Sequence, residues 1–395
     1  MESKGKYYTW IGALVVLILL GVGAWIYQLS NGLIVTGMRN VVSWGLYITS
    51  FMFFVGLSAG GLIVSSSATV FNIPSFKAVA KPAVILSTVC IILAGLFIII
   101  DLGSPQRVLN LILYSQFKSP LMWDVIVITL YLLVSLLYLY YMVRPNPDQK
   151  KIGVLSRIAL PIAILVHSVT AWIFGLQVSR DSWHSALMAP LFVASALDSG
   201  LALLLIALWA VDRFAKFKVD KKLFTSLAGL LAVFVAVDAF FILSEFLTSL
   251  YPGEGSVSSA FSLMTSGPLA PYFWGEVVLG FIIPFVILVF AKNREKKGLV
   301  LFSSALVIIG VFFKRVWLLL SGFMIPSVAG TPGVTLGQFS ESVDSTVIPN
   351  IWATQGTYSP TFIEGAIFIG VISLGVLLFT ILSCRFLNSD VSRVR

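Results

Sequence analysis

Ionisable residues stand within or at the ends of long apolar runs: Asp101, Asp124, His167, Asp198, Asp238, Glu245, Glu276, Lys314, Arg315 and Glu364. A charge at membrane depth is costly, so such residues face a bundle interior, find partners there and mark proton or ligand pathways. Apart from Asp198, Asp238 and His167, most fall in the outer half of their predicted helices, which places a polar chamber near the outer face. A histidine, several acids and a tyrosine or arginine in an apolar pocket can hydrogen-bond the carbonyls of a lipid-soluble carrier and move its protons. The plainer reading is paired structural ions or side chains that snorkel to the interface. That reading weighs more for Asp101 and Asp198 than for His167 and Glu276.

The absent residue types narrow the chemistry. The only histidines are His167 and His184, and His184 lies at a helix end. A membrane cytochrome b needs several helix histidines as haem ligands. Cys90 and Cys384 sit in or beside apolar helices, so neither a disulfide nor an iron–sulfur cluster is expected. There is no Walker motif, no HExxH and no cluster with metal-ligand spacing. The chain is therefore expected to bind no haem, no iron–sulfur cluster and no metal. If electrons move here, a diffusible molecule such as a quinone carries them.

The elements that must position these residues are transmembrane helices. Of 395 residues, 58% are hydrophobic and 11% charged, against about 25% charged in soluble chains. Apolar runs of about 20 residues recur from end to end, each long enough to span about 30 Å of hydrocarbon. They do not alternate residue by residue, which excludes a membrane barrel. The runs predict helices near 10–28, 41–71, 83–101, 120–143, 158–178, 184–211, 223–250, 272–291, 299–325 and 361–384. The first lacks a small-residue cleavage site and is read as a retained helix.

The net charge of +9 reports topology, and no nucleic-acid partner is expected. Every second connecting segment is basic. One set holds Lys4 and Lys6, Lys77 and Lys81, Arg144 with Lys150, Lys151 and Arg157, Arg213 to Lys222, Lys292 to Lys297, and Arg385 to Arg395. The other holds only Arg39, Arg107, Lys118 and Arg180. The positive-inside rule then puts both termini in the cytoplasm. Outer segments 252–271 and 326–360 contain no Lys or Arg and read as a docking surface or as solvated loops.

A faint repeat runs through the chain. Pro120-Leu-Met-Trp123-Asp124 opens the fourth helix, and Pro271-Tyr-Phe-Trp274-Gly-Glu276 opens the eighth. A Lys-Lys pair follows each, before a helix carrying His167 or Lys314 with Arg315. Units of four helices would run parallel, related by an axis along the membrane normal.

Specific stretches resemble the NrfD/PsrC family of quinone-reactive membrane subunits. They are Trp44-Gly-Leu-Tyr47 with Phe54-Val-Gly56-Leu-Ser-Ala-Gly60-Gly61, Asp101-Leu-Gly103-Ser-Pro-Gln-Arg107, and Ser119-Pro-Leu-Met-Trp123-Asp124. His167-Ser-Val-Thr-Ala-Trp172, Trp183-His184 to Ser199-Gly200, Phe273-Trp274-Gly-Glu276 and Tyr358-Ser-Pro360 with Glu364 extend the likeness, in order, over about 41 to 370.

The resemblance implies an all-α membrane protein with two four-helix bundles, 41–178 and 184–325. An extra helix in 1–40, a long outer loop 326–360, and a final helix and cytoplasmic tail in 361–395 complete the chain. It also implies a menaquinone or ubiquinone site near the outer face of a prokaryotic plasma membrane. An iron–sulfur partner with several [4Fe-4S] clusters would sit there, joined to a catalytic molybdopterin or cytochrome subunit. By family position His167 is a quinone-site residue. Asp124, Glu276, Arg180, Tyr47 and Arg315 are expected to contact the quinone or move its protons. Asp198, Asp238 and Glu245 would form the middle of a proton path, and Arg107 would dock the partner or cap the third helix. Gly56, Gly60 and Gly61 read first as close helix packing.

Two other functions suit the same residues. A secondary transporter would hold substrate at mid-depth between repeats. An ion-translocating subunit would use the acids as a path across the bilayer, and that is compatible with quinone chemistry.

Overall fold

The computed structural model describes residues 4–71, 73–215, 217–253, 255–325 and 356–387. It is all-helical, with ten helices long and apolar enough to cross a membrane. They are α1 (Lys4–Asn31), α2 (Leu46–Val70), α3 (Ala80–Asp101), α4 (Pro120–Val143), α5 (Gln149–Gly175), α6 (Met188–Phe214), α7 (Lys221–Leu250), α8 (Ala270–Val289), α9 (Lys297–Met324) and α10 (Phe362–Phe386). Ten crossings return the chain to the face on which it began. We call that the terminal face and the other the opposite face.

Each predicted helix is present, and the boundaries moved for local reasons. α5 begins at Gln149 rather than near 158, because the Asp148 carboxylate caps it, accepting from the Lys150 and Lys151 amides at 3.1 Å each. With the helix starting there, His167 falls in the half nearer the opposite face instead of at mid-depth. α2 starts at Leu46 rather than near 41, after a turn closed by the Arg39 amide on the Val42 carbonyl. α10 opens with a capping box: the Thr361 hydroxyl accepts from the Glu364 amide, and the Glu364 carboxylate accepts from the Thr361 amide at 2.8 Å. Segment 252–271 is not simply a loop, because it contains the helix Gly255–Thr265. Most of 326–360 lies outside the described residues.

α2 is the centre of the bundle and packs on α3, α5, α6 and α9. α4 packs on α3 and α5. α6 packs on α7 and α9, and α8 packs on α7 and α9. α2 and α6 cross at glycine: a Cβ on Gly60 would lie 2.1 Å from the Gly200 carbonyl carbon, and one on Gly200 would lie 2.4 Å from the Gly60 nitrogen. Gly61 touches α3 in the same way, 2.3 Å from the Ala83 oxygen, whereas Gly56 has ordinary room. Close packing through small residues therefore holds at Gly60 and Gly61. α1 stands at the rim against α10, where Gly21 meets Gly370. Its remaining apolar surface is exposed, as a lipid-facing helix requires.

Candidate functional site: two buried polar clusters

The first cluster joins α6, α7, α8 and α9. The Lys314 ammonium lies 2.6 Å from the Asp238 carboxylate and 3.7 Å from that of Glu276. The Trp317 indole N–H donates to the other Glu276 oxygen at 2.6 Å. Lys314 and Trp317 are three residues apart and so share one face of α9. Glu276 opens a π-helical stretch, Glu276–Ile282, an irregularity frequent at functional sites. The Asp198 carboxyl lies against that of Asp238, and Asp198 also accepts from its neighbour's amide, Ser199, at 2.5 Å. None of Asp198, Asp238, Glu276, Lys314 or Arg315 is solvent-exposed.

Arg315 sits beside this cluster without a carboxylate of its own. It donates to the Ser195 hydroxyl at 2.5 Å and lies over the Phe192 ring at 4.1 Å. Its Nε and Nη1 are buried without a hydrogen-bond partner among the described residues. Three carboxyls, Asp198, Asp238 and Glu276, thus share one interior with two cations, Lys314 and Arg315.

His167 lies nearby on α5. Its Nδ1 faces the Ala163 carbonyl at 2.5 Å and its Nε2 the Val55 carbonyl at 3.0 Å. A neutral imidazole can donate to only one of these oxygens, whereas an imidazolium donates to both. Asp124 accepts from the Thr170 hydroxyl at 2.7 Å, one turn along α5 from His167.

The second cluster gathers the opposite-face ends of α1, α2, α3 and α10. The Tyr47 hydroxyl donates to the Gln28 carbonyl oxygen at 2.5 Å, and the Gln28 amide donates to the Ile100 carbonyl at 3.1 Å. Glu364 and Asp101 are within electrostatic reach of Tyr47. The Tyr358 hydroxyl donates to Glu364 at 2.6 Å and accepts the Leu46 amide at 2.8 Å, while Glu364 also accepts the Gly37 amide at 2.7 Å. Burial and the Glu364 charge push the Tyr358 phenol up from its ordinary value. Asp101 differs from its neighbours: its Oδ1 is buried with no partner among the described residues.

The remaining sequence candidates stand apart. Arg180 donates to the Gly322 carbonyl and lies over the Trp183 and Phe323 rings at 5.3 and 4.9 Å. Burial pushes its guanidinium below the ordinary value. Glu245 is at the opposite-face end of α7 rather than in the middle of a path. It accepts from Ser185 at 2.6 Å and lines a small cleft of about 50 Å³ with Asp181, Ser249 and Trp317. Trp317 thus touches both the cleft and Glu276. Arg107 is exposed in the short 3₁₀ turn Pro105–Arg107. Sequence reasoning passed over Gln28, Ser195, Trp317 and Tyr358 as site members. All are uncharged, and only the polar interruption of an apolar helix by Gln28 and Ser195 could have signalled them. Among the described residues no group of His, Cys, Asp and Glu could hold a metal ion.

The polysulphide reductase NrfD family model matches residues 34–327, a span that contains α2 to α9 and leaves α1 and α10 outside it. The chain is 38% identical, over 93% of its own length and 88% of the relative's, to a Halobacterium salinarum protein provisionally assigned as a membrane subunit of dimethyl sulfoxide reductase. It is 31% identical to the Hdr-like menaquinol oxidoreductase integral membrane subunit of Archaeoglobus fulgidus, covering 93% and 91%. It is 27% identical to a selenate reductase subunit of Mesobacillus selenatarsenatis, covering 96% and 93%.

Proposed function

Because this chain belongs to the NrfD polysulphide reductase family of integral membrane subunits, we propose that it exchanges electrons between the quinone pool and an iron–sulfur partner subunit. The partner carries several [4Fe-4S] clusters at the opposite face and connects to a catalytic subunit, of molybdopterin type by analogy with the reductases that the relatives' names describe. The quinone is a menaquinone, as the name of the Archaeoglobus relative suggests. The basic character of the terminal-face segments supports a cytoplasmic location for both termini in a prokaryotic plasma membrane. The packing of α2 to α5 and of α6 to α9 follows one pattern, in which each first helix contacts its second and fourth. That supports two four-helix units flanked by α1 and α10.

One observation supports the site assignment: the buried Asp101 Oδ1, unpartnered among the described residues, follows the Ile100 carbonyl that Gln28 links to the Tyr47 hydroxyl. A quinol hydroxyl is the donor that this oxygen lacks, and the Tyr47 oxygen has a free lone pair for the second contact. In the oxidising direction the quinol supplies two electrons and two protons. The partner's nearest cluster would receive the electrons. Asp101 accepts the first proton from the bound hydroxyl and, once it has passed that proton on, the second.

Onward proton movement follows α2 inward. His167 meets that helix at Val55, about 12 Å from Tyr47 at ~1.5 Å per residue, and Arg315 meets it at Gly56. Beyond Arg315 lie Asp198, Asp238, Lys314 and Glu276. The Glu245 cleft gives that cluster an opening to the opposite face behind Trp317. Asp124 holds α4 on α5 beside His167, and Arg180 latches the end of α9 among its rings. Arg107, exposed on the same face, is placed to meet the partner.

The test is purification of the tagged full chain from its native membrane, with a fluorescent quinol analogue titrated into the product. An iron–sulfur subunit should co-purify, and the analogue should bind with weakened affinity after Asp101→Asn. Solute uptake by the chain alone in liposomes, with no partner recovered, would overturn the reading in favour of a transporter.

A further inference from the structure

A groove of about 430 Å³ runs between α7 and α8, on the bundle's outer surface. Its floor is the small-residue face Gly229, Ala232 and Ala236 of α7. Its walls include Phe240 and Phe285, both well exposed. At the terminal-face end stands Arg294, the last residue of the short helix Ala291–Arg294 that links α8 to α9.

Gly229 makes room for that side chain: a Cβ there would lie 2.3 Å from Arg294 Nη1. The guanidinium is half-buried. Its Nε is shielded from solvent with no hydrogen-bond partner among the described residues. The neighbouring charges are already engaged, since Glu295 pairs with Lys221 at 3.5 Å and Asp212 with Lys297 at 3.2 Å. Among the described residues Arg294 is left as a cation without an anion, at the end of an apolar trough. From Gly229 to Phe240 the trough is about 16 Å long at ~1.5 Å per residue. That is about half of a ~30 Å hydrocarbon core, the depth of one leaflet.

We propose that this groove binds an anionic phospholipid of the terminal-face leaflet, with its phosphate on Arg294 and an acyl chain along Gly229, Ala232 and Ala236. Guanidinium and phosphate match in charge and in bidentate geometry. Exposed Lys292 and Lys296 on either side favour a net negative headgroup over a zwitterionic one.

The experiment takes the full chain in mild detergent, stripped of lipid, and adds phosphatidylglycerol, phosphatidylcholine of the same acyl chains, or inorganic phosphate. Retained lipid is counted by native mass spectrometry, and thermal stability is followed in parallel. One phosphatidylglycerol should be retained per chain with a raised thermal midpoint, and the other two additions should do neither. Arg294→Gln should weaken retention about tenfold or more. Ala236→Phe, which fills the trough and leaves the cation in place, should abolish it. Equal retention of phosphatidylcholine, or unchanged retention in the Arg294→Gln chain, would overturn the proposal. So would finding a prenyl quinone or a partner's helix in the groove. Apart from a prenyl quinone in the groove, none of these outcomes bears on Asp101 or on quinol oxidation.

Discussion

Lys314 and Asp238 meet at 2.6 Å with neither side chain exposed, and Glu276 stands on the other side of the ammonium at 3.7 Å. The arrangement fixes α7, α8 and α9 around one charge. In a bundle without solvent, each member depends on the others for its solvation.

Removing one partner therefore leaves an uncompensated buried charge, which costs about 3–5 kcal/mol. Lys314→Met should lower the stability of the detergent-solubilised protein by that order in a denaturation series. Lys314→Met with Asp238→Asn should recover at least part of the loss. Equal stability of the single variant and the parent would show that the pair is not structural.

Trp317 stands between the Glu245 cleft and Glu276 and donates to the latter at 2.6 Å. Trp317→Phe keeps the ring and removes the donor. In sealed vesicles carrying the whole complex, quinol oxidation should continue while the charge moved per electron falls. Unchanged charge movement would remove Trp317 and its cleft from the proton route.

Gly60 and Gly200 bring α2 and α6 into backbone contact. Neither neighbour can yield, because each contact is with main chain. Overpacking costs about 1–3 kcal/mol where side chains can adjust, and Gly60→Val should exceed that. The folded peak should disappear from size-exclusion profiles of the solubilised membrane fraction. A normal peak would mean that the two helices can separate.

The Tyr358 hydroxyl links α10 to α2, by donating to Glu364 and accepting from the Leu46 amide. Tyr358→Phe should cost about 1.5–3 kcal/mol, the range for a bond to a charged group. Because the folded phenol lies above its ordinary value, its contribution is full below about pH 10 and is lost as pH rises through the folded value. The stability gap between parent and variant should hold at neutral pH and narrow in strong alkali. A constant gap at all pH values would assign the effect to packing.

How far the sequence carried this result depends on what kind of residue was asked about. Ten helices and their order were legible because each apolar run exceeds the bilayer thickness, and the family was legible in stretches such as Trp44 to Tyr47 and Asp101 to Arg107. The start of α5 was not, because an Asp148 cap extends a helix through Lys150, Lys151 and Arg157, where hydropathy alone ends it. Asp198, Asp238, Glu276, Lys314 and Arg315 announced themselves by their charge. Their grouping did not, because it depends on the rotation of four helices about their axes. For Asp101 the structural and functional readings stand level in the sequence, and the proposed ligand role rests on its Oδ1, which has no partner among the described residues. Tyr358 was quoted for its likeness to the family, and its bridge across 312 residues to Leu46 is a tertiary fact.

The most direct test of the account is quinol-driven electron transfer into the iron–sulfur partner of the purified complex, comparing the parent chain with Asp101→Asn. The account predicts a fall of about 10²- to 10⁴-fold, the usual share of a positioned proton acceptor, with the partner still bound and its clusters still reducible by a chemical donor. Transfer at the parental rate in the Asp101→Asn complex would contradict it.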